Sequence, residues 1–452
     1  MPILPYITAG LNSPLHTFQP LKKRVLNEIS HYHKLSAESR RLLLSILLFT
    51  IALPLLSVFV NSFLWRSSHS VGQVILYNIA TFIGMPIGFY INTFLLKKYS
   101  AKLLYFWGSL LQGIIVAAIL FLPTAGLLVV SLAGIAMGVV SGIYWGNRIM
   151  IGMYATNSHQ RTYFISLELI LVTLMGIIMP LFIGWFIVTG EHFFVNWSQR
   201  AYQILAIFLI GIMYYCGKIV LKNKVVVPAL KDLSPFKPSI RWKRMRLLSV
   251  FAGMAHGIEV VLPGLLVLLL IGTERSLGTI MALSGLIVSI ALYQIAKKVG
   301  KRYRMRTFFI AAVLSVSAGL IIGSAYSAIG AICYFVINSF AMMFRGTILG
   351  PVGLDVIMSE STRQQKHSYL YLADRELYVN IGRNIALGGL FILFFYQQDF
   401  ALRLVPILST LPLLGGIWLL SLIEKQLVWE DFVTLAPVYN YIKTTFPVES
   451  KS

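Results

Sequence analysis

Acidic side chains are scarce in this sequence: 16 Asp and Glu residues stand against 38 Lys and Arg residues in a chain of 452. Charged residues of both signs make up only 12% of the chain, about half the share found in soluble proteins. Apolar residues make up 57%, and they come in runs of roughly 20, the length that spans a ~30 Å hydrocarbon core. The composition excludes an ordinary soluble protein and predicts a polytopic α-helical membrane protein.

Cysteine is nearly absent as well. Cys216 and Cys333 both lie in apolar runs, so the sequence indicates neither a disulfide framework nor a metal-ligand spacing. There is no phosphate-binding Walker loop, which argues against a chain powered by its own ATP hydrolysis. We therefore expect no cofactor, no metal and no enzymatic activity.

The net charge of +22 could suggest a nucleic-acid partner in a soluble chain. Here the basic residues stand between the apolar runs, where Lys and Arg act as topology signals beside anionic lipid. We expect the lipid bilayer of the inner (plasma) membrane as the environment, no nucleic acid as a partner, and a monomer.

Twelve membrane spans are predicted, and the basic residues concentrate in every second loop, which puts both termini in the cytoplasm. The predicted organisation is a cytoplasmic tail over 1–40, a six-helix bundle over 41–221, a cytoplasmic linker over 222–246, a second six-helix bundle over 247–423 and a cytoplasmic tail over 424–452. The predicted spans are about 42–65, 72–96, 101–123, 125–153, 163–188, 200–221, 247–272, 276–296, 307–325, 328–349, 377–396 and 401–423.

The two halves carry a weak internal repeat. In each half an Arg ends the predicted fourth helix and a Tyr-x4-Glu stands at the entry to the fifth: Arg148 and Glu168 in the first half, Arg345 and Glu376 in the second. The Arg-to-Glu spacing is 20 residues in one half and 31 in the other, so the second half is predicted to carry a longer loop.

Six plus six spans around a cytoplasmic linker resemble the major facilitator superfamily. The stretch from Gly88 to Lys98 keeps the Gly and the basic end of the superfamily's loop between helices two and three, but not its Asp. Arg148-Ile-Met-Ile-Gly152 is similar to its helix-four pattern, with Ile in place of Gln. Asn61-Ser-Phe-Leu-Trp65-Arg66 and Asn380-Ile-Gly-Arg383-Asn384 resemble poorly characterised bacterial members. The resemblance implies a transporter with a central site between the halves.

Glu259 is the most informative residue, because it lies near the middle of an apolar run (LLSVFAGMAHGIEVVLPGLLVLLLIG). An acid in hydrocarbon is costly and usually faces a protein interior or a wet cavity. Glu259 can therefore couple transport to protons, or it can form a permanent ion pair that locks two helices. His256, one turn earlier on the same face, either shares the proton or is a packing residue.

Arg383 is predicted about seven residues inside its span, which suits a contact with an anionic substrate group. The alternative is a structural bridge to Glu376. Asn61 and Gln294 are further candidates for lining the substrate cavity. Gly134, Gly138, Gly142 and Gly146 form a ridge that predicts the close approach of another helix.

Two ion pairs, Arg148 with Glu168 and Arg345 with Glu376, are predicted as inner gates, the alternative being that these side chains only reach the interface. Glu274 and Arg275 are assigned to an outside loop.

These features predict a proton-coupled secondary active transporter that moves a small organic solute, anionic or amphiphilic, by alternating access, with a slight preference for export. One alternative is a lipid or glycolipid flippase on the same fold. The third hypothesis is a membrane sensor or scaffold that does not transport. It is disfavoured because the sequence contains no recognisable effector domain.

Overall fold

The described residues form twelve helices, each of them long enough and apolar enough to cross a membrane, and little else. The structure, a computed structural model, describes residues 32, 35–122, 126–155, 158–190, 194, 197–225, 227, 236–296 and 304–425. The helices are α1 (Ala37–Ser68), α2 (Val71–Lys98), α3 (Ala101–Phe121), α4 (Leu127–Ala155), α5 (Ser158–Thr189), α6 (Trp197–Leu221), α7 (Ile240–Leu270), α8 (Glu274–Ala296), α9 (Arg304–Ser324), α10 (Ala328–Gln364), α11 (Ser368–Tyr396) and α12 (Gln398–Lys425). The predicted number of spans is confirmed.

Serine residues start several of these helices. The side chains of Ser36, Ser70 and Ser100 each accept a hydrogen bond from the backbone N–H three residues further on. Such a cap satisfies one of the N–H groups that a helix start leaves without a partner. The start of α1 and the end of α12 lie on the same side of the bundle. We name that side the termini end and the opposite side the far end.

The α1 helix is locally wider where it passes the middle of the bundle. Pro54 lies inside it and is followed by a π-helical turn over Leu55–Phe59. A proline removes a backbone donor, and single π turns in helices are frequent at functional sites. Ser57 and Val58, both in this turn, line the cavity described below.

Another helix approaches the glycine ridge of α4 closely, as predicted: Gly134, Gly138 and Gly142 pack against α2, while Gly146 lies against Tyr369 of α11. A Cβ atom at Gly138 would overlap the backbone of Thr81, and one at Gly142 would overlap the backbone of Met85. Gly84 and Gly88 of α2 are equally close to α4. Small residues on both helices therefore bring the two backbones together.

The two halves of the chain meet along α2 with α11 and along α5 with α8, and α1 approaches α7. At the α5–α8 contact, Gly184 and Gly278 lie against each other's helix backbone. The halves therefore enclose a space that is bordered by helices of both.

Three helices of the second half, α7, α10 and α11, are much longer than their predicted spans. The α7 helix begins at Ile240, inside the predicted linker, and α10 continues to Gln364, so the predicted loop over 350–376 shrinks to residues 365–367. The extensions contain charged residues, which in the sequence are typical of a loop. In the structure these charges form ion pairs between helices, as Arg241 does with Glu360 (2.9 Å).

Candidate functional site

A cavity of about 660 Å³ lies between the two halves, and we call it the central cavity. Helices α1, α2, α4 and α5 line it on one side, and α7, α8, α10 and α11 line it on the other. Four of its residues can carry charge: His256, Glu259, Glu376 and Arg383. Eight further residues of the wall have thioether or aromatic side chains: Met85, Met281, Met342, Met343, Phe82, Phe89, Phe335 and Trp145.

Glu259 forms a buried ion pair with Arg345 of α10. Both guanidinium Nη atoms donate to the carboxylate, the Nη1–Oε1 contact being 2.9 Å. The Ser315 hydroxyl of α9 also donates to Oε1, at 3.1 Å. The side chain of Glu259 is 1% exposed and that of Arg345 is 5% exposed. Three helices of the second half are therefore connected through one carboxylate.

This pair corrects the prediction that Arg345 pairs with Glu376 at an inner gate. Arg345 lies in the middle of α10 rather than at its end, because the helix continues past Pro351 to Gln364. At that depth the carboxylate within reach is Glu259. The apparent repeat with Arg148 and Glu168 is therefore not kept in the geometry of the second half.

His256 lines the central cavity one turn before Glu259, as its spacing predicts. Its Nδ1 atom is buried and has no hydrogen-bond partner among the described residues. The side chain lies within the electrostatic reach of both Arg383 and Arg345. It is therefore available to a ligand or a proton, but it makes no contact with Glu259 that would form a relay.

Arg383 points into the same cavity from α11. Its Nη1 donates to Asn380 Oδ1 at 2.9 Å and contacts Met85 Sδ at 3.5 Å, and the guanidinium lies 4.8 Å from the Phe82 ring centroid. Its buried Nε has no hydrogen-bond partner among the described residues. The predicted bridge from Arg383 to Glu376 is not formed, so the guanidinium keeps donors for a ligand.

Of the other two predicted cavity residues, Asn61 does not line this wall. Asn61 accepts a hydrogen bond from Asn78 Nδ2 at 2.9 Å and so joins α1 to α2. An amide in an apolar environment takes the nearest polar partner, and here that partner is on the adjacent helix. Gln294 belongs to α8, and its side chain lies outside the described residues.

Arg148 and Glu168 form the predicted ion pair between α4 and α5. Trp145 stacks under the guanidinium, 4.8 Å away. Both helices belong to the first half, so the pair by itself does not connect the two halves. Arg148 and Glu168 line a smaller cavity of about 200 Å³ together with Leu354 and Met358 of α10.

This smaller cavity lies toward the termini end and shares Ile149 with the central cavity. A route toward the termini end therefore passes the Arg148–Glu168 pair.

Tyr369 of α11 makes a contact between the halves nearer the termini end. Its hydroxyl donates to the Phe89 carbonyl at 3.1 Å and accepts from Asn92 Nδ2 at 2.8 Å. Its backbone N–H is capped by His367 Nδ1 at 3.2 Å. Burial lowers the pKa of His367, which keeps the imidazole in the neutral form that can accept this bond.

At the far end the halves are joined by four residues that we call the far-end latch: Ser62, Arg66, Tyr202 and Glu274. Arg66 Nη1 donates to Glu274 Oε2 at 2.8 Å, and the Ser62 and Tyr202 hydroxyls donate to Oε1 at 3.2 and 3.4 Å. Glu274 is 2% exposed. The assignment of Glu274 to a loop was therefore wrong, because the residue opens α8 and is buried against α1 and α6.

Replacing Glu274 with Gln is expected to open the far end more often, because the carboxylate is the only element of the latch that the second half supplies. Loss of a charge-assisted hydrogen bond costs about 1.5–3 kcal/mol, reduced here because Arg66 is partly exposed. We expect up to about tenfold faster labelling, by a membrane-impermeant maleimide, of a Gly264→Cys reporter in the central cavity of a cysteine-free background.

Arg403→Gln is the matched control, since Arg403 lies in the far-end part of α12 and stacks on Tyr326 of the same half, so it makes no contact between the halves. Equal labelling rates in the Glu274→Gln and control proteins would contradict the role of the latch.

A second large groove, of about 700 Å³, runs between α2 and α11. We call it the α2–α11 groove. It is almost entirely apolar, and several of its side chains are well exposed, such as Phe94 at 63%. Phe82 lines both this groove and the central cavity. Asn380, the partner of Arg383, also lines the groove, so Arg383 lies next to the wall that separates the two spaces.

Comparison with known proteins finds one distant relative and a shared fold. No protein-family model matches the chain. The uncharacterised protein YqgE of Bacillus subtilis (strain 168) is 22% identical over 349 residues, covering 75% of this chain and 79% of YqgE.

Three solved transporters have a similar structure. The nucleoside transporter NupG matches with a TM-score of 0.61 at 13% identity, covering 85% of this chain and 99% of its own. A POT family transporter matches with a TM-score of 0.62 at 12% identity, covering 86% and 96%. A bacterial homologue of the human lysosomal transporter Spinster, captured facing inward, matches with a TM-score of 0.59 at 12% identity, covering 86% and 97%.

Proposed function

Since the chain has the fold of the major facilitator transporters, we propose that it is a secondary active transporter that moves a small organic solute across the membrane by alternating access. The observation that carries this proposal is the central cavity, which both halves enclose and into which Arg383 brings donors that no described acid engages. A buried cation without a counter-ion is costly, so a site of this kind favours an anionic group on the ligand.

Alternating access is supported by the unequal ends of the molecule. At the far end the latch and the glycine contact between Gly184 and Gly278 join the halves. Toward the termini end the smaller cavity, lined by both halves, lies next to the central cavity, with Ile149 in the wall of both. We assign this arrangement to a form closed at the far end, with Arg148 and Glu168 as gating residues on the route that is open.

We further propose that protons drive the cycle and that Glu259 takes up the coupling proton. Protonation removes the negative charge that holds Arg345, so a proton entering the cavity can release a contact between α7 and α10. His256 is the second group that a proton in this cavity can reach. We also propose that both termini lie in the cytoplasm and that the membrane is the inner membrane, and we keep the slight preference for export.

The direct test is uptake into proteoliposomes under an imposed pH gradient, with a panel of anionic, zwitterionic, cationic and neutral solutes. Arg383→Gln is expected to lower uptake of an anionic substrate by tenfold or more, because a charge-assisted pair contributes about 1.5–3 kcal/mol.

Arg403→Gln is the matched control, since Arg403 stacks on Tyr326 near a helix end away from the cavity. Uptake reduced equally by both substitutions would contradict a binding role for Arg383. No gradient-driven uptake of any solute by the wild-type protein would contradict the transporter proposal itself.

The α2–α11 groove favours one alternative, a flippase for a lipid or glycolipid. A lipid headgroup would occupy the central cavity beside Arg383 while its acyl chain stays in the apolar groove, past Phe82. Translocation of a fluorescent lipid between the leaflets of proteoliposomes, without uptake of any soluble solute, would favour this function over the first.

A further inference from the structure

Glu376 is a carboxylate in the central cavity that no described residue neutralises. It lines the cavity wall, and its carboxylate makes no hydrogen bond or ion pair with a described residue, while its backbone carbonyl accepts from Asn380 Nδ2 at 2.7 Å. The acids deep in the bundle of the second half are otherwise paired: Glu259 with Arg345, Glu360 with Arg241 and Asp374 with Arg246. Glu376 therefore differs from them in leaving its negative charge open to the cavity.

Arg383 presents the opposite charge from the same helix face. Residues seven apart on a helix lie two turns apart on one side, so Glu376 and Arg383 both face the cavity, about 10.5 Å apart along the axis of α11. The two side chains form no ion pair, although their charges lie within electrostatic reach of each other. The cavity thus holds a negative and a positive group, neither of which has an ion-pair partner among the described residues.

The walls between these groups are apolar and adaptable. Met85 contacts Arg383, and Met342 and Met343 line the opposite side from α10. Methionine side chains are flexible and polarizable, so they accommodate ligands of different shapes. A ligand that fits this cavity has an apolar body in addition to its charges.

We propose that the central cavity binds a zwitterionic amphiphile, with its anionic group on Arg383 and its ammonium group on Glu376. The proposal rests on the transporter function proposed above and names its substrate class. Because the two charged groups lie on one face of α11 without touching, a ligand that bridges them carries its own opposite charges a few ångströms apart. An anion alone would leave Glu376 unneutralised and repelling it.

A charge separation of this size occurs both in soluble γ-amino acids and in the phosphoethanolamine headgroup of lipids. Two sets of probes distinguish these sources. The soluble set is 4-amino-3-phenylbutanoate with 3-phenylbutanoate, which lacks the ammonium group. The lipid set is a lysophosphatidylethanolamine with the lysophosphatidylethanol of the same acyl chain, which keeps the phosphodiester charge and lacks the ammonium group.

The test is calorimetric binding of each probe to the purified full-length protein and to Glu376→Gln. We expect the wild-type protein to bind the zwitterion of at least one set about tenfold more tightly than the matched anion. In Glu376→Gln this preference should disappear while the anion binds as before, and retained anion binding also shows that the variant is folded.

Asp399→Asn, which removes an acid at the far-end start of α12, should leave the preference unchanged. Equal affinity of the wild-type protein for zwitterion and anion in both sets would overturn the proposal, and so would no binding of any probe. The protein could also prefer the zwitterion through Glu376 and show no gradient-driven uptake. That result would support this binding site and contradict the transporter proposal.

Discussion

Arg345→Met is expected to destabilise the folded protein by about 3–5 kcal/mol, the cost of leaving one member of a buried ion pair without its partner. The carboxylate of Glu259 would keep only the Ser315 hydroxyl as a side-chain donor. The remaining negative charge would stay in a nearly unexposed position, where water cannot solvate it. Thermal unfolding in detergent, followed by the loss of the monodisperse peak, measures the effect.

The double variant Glu259→Gln with Arg345→Met should regain most of this stability, because it removes both charges. Arg383→Met is the matched control, since Arg383 has no ion-pair partner among the described residues, and its loss should cost far less. If the double variant were less stable than Arg345→Met alone, the loss of stability would not come from the unpaired charge of Glu259.

Glu259→Gln alone is expected to abolish accumulation driven by a pH gradient while exchange of labelled for unlabelled substrate continues. An amide cannot take up and release the coupling proton. It keeps the size of the carboxyl group and one of the two acceptors for Arg345, and because that buried guanidinium loses its counter-charge, exchange is measured on the monodisperse protein only. Exchange needs only the rearrangement of the halves around a bound ligand, so it should survive. Proteoliposomes loaded with substrate and assayed with and without the gradient separate the two activities.

Ser315→Ala serves as the control for Glu259→Gln, because it removes a donor to the carboxylate and keeps the titratable group. It should shift the pH dependence of accumulation without abolishing it. Accumulation by Glu259→Gln with an unchanged pH dependence would show that another group carries the proton, and His256 and Glu376 would then be the groups to replace.

The hydropathy pattern was sufficient to predict the helices of the first half. It was not sufficient to predict where several helices of the second half begin and end. A run such as Leu247–Gly272 has to be helical in hydrocarbon, because every backbone N–H and C=O must be satisfied within the segment. Arg241 and Glu360 look like loop residues because a charge alone is unfavourable in a membrane helix. Their mutual contact removes that cost and lets α7 and α10 extend.

Single charges at depth were recognisable from sequence, but their partners were not. Glu259, His256 and Arg383 stand out because each interrupts an apolar run, and all three line the central cavity. The partner of Glu259, however, is 86 residues away in the chain. The local spacing that connected Arg345 with Glu376 carried no information about which helices become neighbours.

The far-end latch is a second case in which the sequence did not indicate which residues become partners. Arg66 and Glu274 lie 208 residues apart, and each looks like an ordinary residue at the end of a span. Only the packing of α1 and α6 against the start of α8 buries the carboxylate and makes it a contact between the halves.

The amino-acid sequence by itself determined that this protein has twelve membrane helices and places ionisable groups at their middle, because burial in hydrocarbon leaves few other structures for such apolar runs. Only the tertiary structure decided which charges neutralise each other and which stay open to the cavity. Arg345 neutralises Glu259, while Glu376 and Arg383 lie on one helix and form no ion pair. The reason is geometric: pair formation depends on distances between helices, which arise from packing and which the spacing of residues along the chain does not encode.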